Sequence, residues 1–145
     1  MNASTHDKPK CLTQINGKAL IEYQIKAFRE AGISEIGVVT GYKSDCLKYL
    51  NLSQFHNKQW NKTNMVVSLA CANEWLMNSD CIISYSDIFY ESSAIELLKS
   101  CSSSLALTFD PNWLDLWRKR FEDPLLDAET FKLKSNMILS IFNAS

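Results

Sequence analysis

Three short segments carry side chains whose types and spacing suit phosphate chemistry. In Asp7-Lys8-Pro9-Lys10 two lysines flank a proline of fixed φ, and an ammonium held that rigidly can meet a phosphate; a solvated charged loop would contain the same residues. In Ser86-Asp87 a lone carboxylate follows the apolar run Cys81–Tyr85. One carboxylate at a strand end suits Mg²⁺, which takes one or two carboxylates together with substrate phosphates, although an Asp there can equally cap the next turn. The third segment is Thr63-Asn64 with Ser68 one helical turn on, which either caps a helix or offers hydrogen bonds to a base edge.

Other chemistries lack their residues. The sequence contains no Gly-rich loop ending in Gly-Lys-Ser/Thr, no GxGxxG fingerprint and no GxSxG elbow, which disfavours P-loop NTPases, dinucleotide dehydrogenases and serine hydrolases. His6 and His56 have no obvious partners. A receiver-like signalling domain with Asp87 as phospho-acceptor would need an acidic pair near a first strand, and neither precedes Lys8.

The elements that must position these residues follow from periodicity. Leu20, Tyr23, Ala27, Phe28 and Ala31 recur at helical spacing before Gly32, which predicts a helix over 19–31 with a left-handed glycine cap. The β-branched run Glu35–Thr40 reads as a buried strand ending at Gly41. Ser44 is expected to cap a short helix through Leu50, Gln54–Asn64 to cross as an irregular stretch, and Met65–Met77 to form one apolar helix. Further strands are expected at Cys81–Tyr85 and Leu105–Phe109, with a helix over Ala94–Lys99 capped by Ser93 between them. Two of the three prolines and two of the four tryptophans fall in 110–129, read as a loop or short helices, and Thr130–Lys134 with Ile138–Phe142 reads as a hairpin around Ser135-Asn136. The alternation predicts an α/β fold, a mostly parallel sheet covered by helices, with ligands taken at the carboxyl ends of its strands.

Composition narrows the partners. At 145 residues and 46% hydrophobic content the expectation is a single domain, residues 1–145, with a core that needs no disulfide. Fifteen basic residues against sixteen acidic ones leave a formal charge of −1, so neither nucleic acid nor an anionic membrane is an expected partner. The five cysteines are odd in number and at least ten positions apart, which speaks for reduced thiols. With no basic-then-apolar leader and no apolar run of about 20 residues, a cytoplasmic location is expected.

In order along the chain, Lys8-Pro9-Lys10-Cys11-Leu12, Asn16-Gly17-Lys18, Ala31-Gly32-Ile33, Val38-Val39-Thr40-Gly41-Tyr42-Lys43, Thr63-Asn64 with Ser68-Leu69, and Ser84-Tyr85-Ser86-Asp87 resemble the sugar-phosphate and phosphocholine nucleotidyltransferase family, with its Rossmann-like three-layer fold. The stretch from Asp110-Pro111-Asn112-Trp113 through Leu116-Trp117-Arg118 to Asp127-Ala128-Glu129-Thr130 is similar to the branch that handles phosphocholine or small phosphonates. The resemblance implies Mg²⁺-dependent transfer of CMP from CTP to a phosphocholine-like or aminophosphonate acceptor, with release of pyrophosphate. It implies Lys10 as the phosphate-binding lysine, Asp87 as a Mg²⁺ ligand and catalytic residue, and Asn64 and Ser68 beside the nucleobase, which Gly41 lets the backbone approach. Asp110, Trp113 and Trp117 would then receive the acceptor, the rings by cation–π attraction to an ammonium; two tryptophans four apart on a helix also suit simple core burial.

The family's Gly-rich phosphate loop and first strand do not stand ahead of Lys10, and the sequence ends at Ser145 before the family's second half. The alternative expectations are therefore an inactive remnant or binding module of the same fold, or a sugar-1-phosphate nucleotidyltransferase using UTP or another NTP. A sheet with unpaired edges also suggests a homo-oligomer.

Overall fold

Asn16 and Gly17 both adopt positive φ, 49° and 80°, the backbone of a tight two-residue hairpin turn that pairs β1 (Gln14–Ile15) with β2 (Lys18–Ala19). The computed structural model describes residues 7–126, 130–134 and 137–142, in two compact units, Met1–Ala106 and Leu107–Ser145.

In the first unit α1 (Leu20–Glu30) follows β2 directly. Glu22 accepts the Ala19 amide at 2.8 Å and so satisfies one of the amides left over at the helix start. The helix ends as its sequence predicts: Gly32 takes φ 80°, Gly32 N donates to Arg29 O and Ile33 N to Phe28 O, which is the Schellman arrangement. Lys99 Nζ also donates to Ala31 O, placing a cation where the helix dipole is negative.

α1 is buried along Leu20, Ile21, Gln24 and Ala27, and both core clusters form on it. Cys11, Ala19, Ile21 and Leu47 pack with Leu12, Ile25, Val38 and Leu50. Ala27, Ala31 and Ile95 pack with Phe28, Ile33, Ile82 and Tyr90. β3 (Gly37–Thr40) runs parallel to β4 (Ser53–His56), with Gly37 opposite Ser53 and Thr40 opposite His56. This parallel pair, together with α1, α2 (Met65–Ala70), α3 (Asn73–Asn78) and α4 (Ser92–Ser100), the last packed on α1, makes the unit an α/β structure.

Several expected elements are corrected. β4 lies where an irregular crossing was expected, because it is largely exposed and has no apolar alternation to reveal it. The stretch Ser44–Leu50 is a 3₁₀ helix entered through Lys43 at φ 47°, and Ser44 caps nothing. The helix expected over Met65–Met77 breaks at Cys71–Ala72, where two i→i−3 hydrogen bonds tighten the turn and Ala72 becomes buried; beyond the break Trp75 meets Phe55 edge-on at 5.2 Å. α4 starts at Ser92 with Glu91 at its cap, not Ser93. Among the described residues Cys81–Tyr85 and Leu105–Phe109 join no ladder, since an apolar β-branched run becomes a strand only where a neighbouring strand offers its N–H and C=O groups.

In the second unit α5 (Trp113–Arg118) follows an Asp110 turn, and β5 (Thr130–Lys134) pairs antiparallel with β6 (Met137–Phe142). This is the expected hairpin, one residue longer; its turn Ser135-Asn136 lies outside the described residues, as do residues 127–129. Phe131 meets Phe109 edge-on at 5.3 Å. Among the described residues no helix is long and apolar enough to cross a membrane.

Ile95 of α4, only 2% exposed, packs against the small residues Ala27 of α1 and Ala31 at its C-terminal cap. Ile95→Ala is expected to lower unfolding free energy by about 2–5 kcal/mol, read by denaturant titration; a loss under about 1 kcal/mol would contradict this packing.

Candidate functional site

Lys10 opens a 3₁₀ turn, Lys10–Leu12, held by Leu12 N to Pro9 O at 3.0 Å and Thr13 N to Lys10 O at 2.9 Å. The turn sends Cys11 into the core and leaves Lys10 exposed, with no salt bridge among the described residues. Leu20 N donates to Thr13 O at 2.9 Å and ties the turn to the start of α1.

Asp87 lies in the turn between Tyr85 and Ile88, also exposed. One contact relates its turn to another of the segments, and its charge is felt at Cys11. The Cys11 thiol is held above its ordinary value of 9.0, mainly by burial, with the Asp87 charge adding to the rise. The Tyr85 hydroxyl donates to Met65 Sδ, which joins the same turn to the first residue of α2, next to Asn64. All three segments singled out in the sequence lie in the first unit.

The Asp87 turn docks on α1. Gln24, 5% exposed, donates through Nε2 to Tyr85 O at 2.8 Å and to Ile88 O at 2.6 Å. Tyr23 meets Phe89 edge-on at 5.7 Å, and Phe28 meets Tyr90 at 6.1 Å. The Tyr90 hydroxyl donates to Ser84 Oγ, which donates to Tyr85 O.

Beyond the ends of β3 and β4 a second amide does similar work. Asn57, 4% exposed, has its N–H on Thr40 O at 2.9 Å, extending the ladder one step. Its Nδ2 donates to Thr63 Oγ1 at 2.8 Å and Ser68 Oγ at 2.9 Å, and its Oδ1 accepts from Gln59 N at 2.9 Å. Thr63 and Ser68 spend their own hydroxyl protons on Gln59 O and Asn64 O. Asn64 caps α2, its Oδ1 accepting from Val67 N at 3.1 Å. Thr40 Oγ1 and His56 Nδ1, 3.1 Å apart, link the two strand ends.

Gly41 follows β3, and a Cβ there would lie 2.5 Å from Trp60 Cβ and 2.8 Å from its Cγ. The space beside Gly41 is thus taken by Trp60, which meets Tyr42 at 5.3 Å; Lys43 reaches Tyr42 and pairs with Asp7 at 3.6 Å.

Asp110, Trp113 and Trp117 belong to the second unit. Asp110 Oδ1 accepts from Asn112 N at 2.8 Å and shapes the turn into α5. Trp113 and Trp117 are half-buried, and the Arg120 guanidinium lies 5.3 Å from the Trp117 ring centroid.

A divalent cation can be tested against this donor set. Among the described residues no three His, Cys, Asp or Glu side chains cluster to hold an ion by themselves. The single exposed carboxylate of Asp87 fits Mg²⁺ carried in on a polyphosphate, the mode in which the ion keeps water and phosphate ligands and takes few from protein.

Sequence reasoning missed Gln24 and Asn57. Gln24 had a signal, a polar residue on the apolar stripe of α1; Asn57 had none, because its partners Thr40, Thr63 and Ser68 meet only in three dimensions.

Residues 2–127 match the family model described as the MobA-like NTP transferase domain. The chain is 41% identical over 147 aligned positions, 94% of its length, to the CTP:phosphoglutamine cytidylyltransferase of Campylobacter jejuni, and covers 58% of that protein. It is 37% identical over 79 positions, 52% of its length, to the choline-phosphate cytidylyltransferase of Streptococcus pneumoniae, covering 34% of it. The chain thus spans less than two thirds of either relative. No solved structure matches it.

Because burial keeps Cys11 and Tyr90 above their ordinary 9.0 and 10.0, the unfolded chain loses these protons at lower pH than the folded one. Stability from both groups is complete below pH about 9 and is lost as pH rises past their unfolded values. The thermal midpoint is expected to fall from pH 8.5 to 10.5, less steeply in Cys11→Ala; a flat profile in the wild type would contradict it.

Proposed function

The chain belongs to the MobA-like NTP transferase domain family, and from that premise we propose that it is a cytidylyltransferase carrying CMP from CTP to a small phosphate-bearing acceptor. Its Rossmann-like α/β nucleotidyltransferase fold offers the residues at the carboxyl ends of β3 and β4 to the nucleotide. The observation that carries the reading is the contact of the Tyr85 hydroxyl with Met65 Sδ, which joins the Asp87 turn to the start of α2, beside the Asn64 cap.

In the reaction proposed, an oxygen of the acceptor phosphate attacks the α-phosphorus of CTP. The bond to the bridging oxygen breaks, its electron pair leaves with pyrophosphate, and no covalent enzyme intermediate is needed. Lys10 neutralises charge on the phosphates. Asp87 would hold Mg²⁺, which supplies charge neutralisation across the phosphate chain. Asn57 keeps Thr63, Asn64 and Ser68 in register beside the base, so that Asn64 and Ser68 serve the nucleotide through the loop they stabilise. Gly41 serves it through its close packing on Trp60.

The acceptor is proposed to carry an amine or quaternary ammonium, as phosphocholine or an aminophosphonate does, with Asp110, Trp113 and Trp117 as its contacts. The names of the two cytidylyltransferase relatives, phosphoglutamine and choline-phosphate, support a phosphate joined to a small nitrogenous group. We further propose self-association: Met65, Val66, Ile83, Tyr85 and Leu105 are exposed, and Cys81–Tyr85 has no ladder partner among the described residues.

With CTP, Mg²⁺ and phosphocholine, phosphoglutamine or aminoethylphosphonate in turn, pyrophosphate release is expected with CTP well above UTP, GTP and ATP. Lys10→Ala and Asp87→Ala are each expected to reduce it about 100-fold or more. Release unchanged in both variants, or none with any pairing, would sink the reading. Sedimentation at micromolar concentration is expected to show a dimer or larger species, and a single monomer boundary would refute self-association.

A further inference from the structure

Gln24 stands on the apolar stripe of α1, between Leu20 and Ala27, where a leucine would fill the same space. A primary amide buried there needs partners, and its two N–H groups find them on one short loop, at Tyr85 O and Ile88 O, 61 and 64 residues away. Those carbonyls bracket Ser86-Asp87. Among the described residues, Cys81–Tyr85 has no strand beside it, so the backbone leading into the Asp87 turn lacks a ladder to fix it. The aromatic pairs Tyr23–Phe89 and Phe28–Tyr90 press the following residues onto α1 but leave the direction of the turn undetermined. A hydrogen bond at each end of the turn sets that direction.

We propose that Gln24 is the positioning residue for Asp87: its amide clamps both ends of the turn and holds the Asp87 carboxylate where a nucleotide-bound divalent cation meets it. This rests on the reading of Asp87 as the metal-side carboxylate. The same helix holds the Lys10 turn through Leu20 N and Thr13 O, so one rigid element fixes the spacing between the ammonium and the carboxylate. An outer partner of this kind acts through the ligand it orients, and removing such partners weakens metal binding by about 10–100-fold.

The test uses the whole chain with Mn²⁺ and the non-reacting analogue α,β-methylene-CTP, reading bound Mn²⁺ by electron paramagnetic resonance and metal-free analogue binding by calorimetry in EDTA. Gln24→Met keeps the volume and removes both donors. Well below its melting temperature it is expected to weaken Mn²⁺ binding in the ternary complex at least tenfold, while metal-free analogue binding stays within about twofold of wild type. A merely structural role would move both affinities together or neither, and either result overturns the proposal. Should Gln24→Met not fold, Gln24→Asn decides: it keeps the amide but withdraws it by one methylene, and at least a threefold loss of Mn²⁺ affinity is expected, wild-type affinity overturning the clamp. Asp87→Asn separates this from the underlying reading. If it binds Mn²⁺ as wild type does, the assignment of Asp87 fails and the clamp with it; if it loses Mn²⁺ while Gln24→Met does not, the clamp alone fails.

Discussion

A loop that leaves a parallel strand has no ladder to follow, so its buried backbone and hydroxyl groups must be satisfied by side chains if the loop is to hold one shape. This constraint governs the first unit. Its buried polar side chains are Gln24, Thr40 and Asn57, and each is spent on a loop or strand end that carries candidate site residues. None is left with a buried polar atom unpartnered among the described residues. Two amides and a hydroxyl thus do what a continuous sheet would do through its backbone.

The second organising element is α1. Its apolar face nucleates both core clusters, its start holds the Lys10 turn, and its middle holds the Asp87 turn. Because the helix is capped at both ends, by Glu22 on the Ala19 amide and by Gly32 with Lys99 at the other end, the two turns are referred to one stiff rod. Phosphoryl-type transfer depends chiefly on positioning and charge, and in the reaction proposed a fixed interval between ammonium and carboxylate would supply both.

The exposed apolar side chains belong to the same account. Met65, Val66 and Ile83 show wide exposure where the cores of Cys11 and Ile95 do not reach them. Surfaces of this kind are the ground for the self-association proposed above, and among the described residues Cys81–Tyr85 joins no ladder.

From the amino-acid sequence alone came α1 and its glycine cap, the strand at Gly37–Thr40, the hairpin of β5 and β6, and the family. These are local matters, written in helical spacing, in β-branched runs and in short motifs. The helix break at Cys71–Ala72, the polar strand Ser53–His56 and the unpaired state of Cys81–Tyr85 were decided by tertiary structure. A strand exists only by its neighbour, and neither the neighbour nor its absence is written in the strand's own residues. Gln24 and Asn57 escaped for the same reason: an amide shows its purpose only when the carbonyls or hydroxyls it serves, up to 64 residues away, are brought within hydrogen-bond reach.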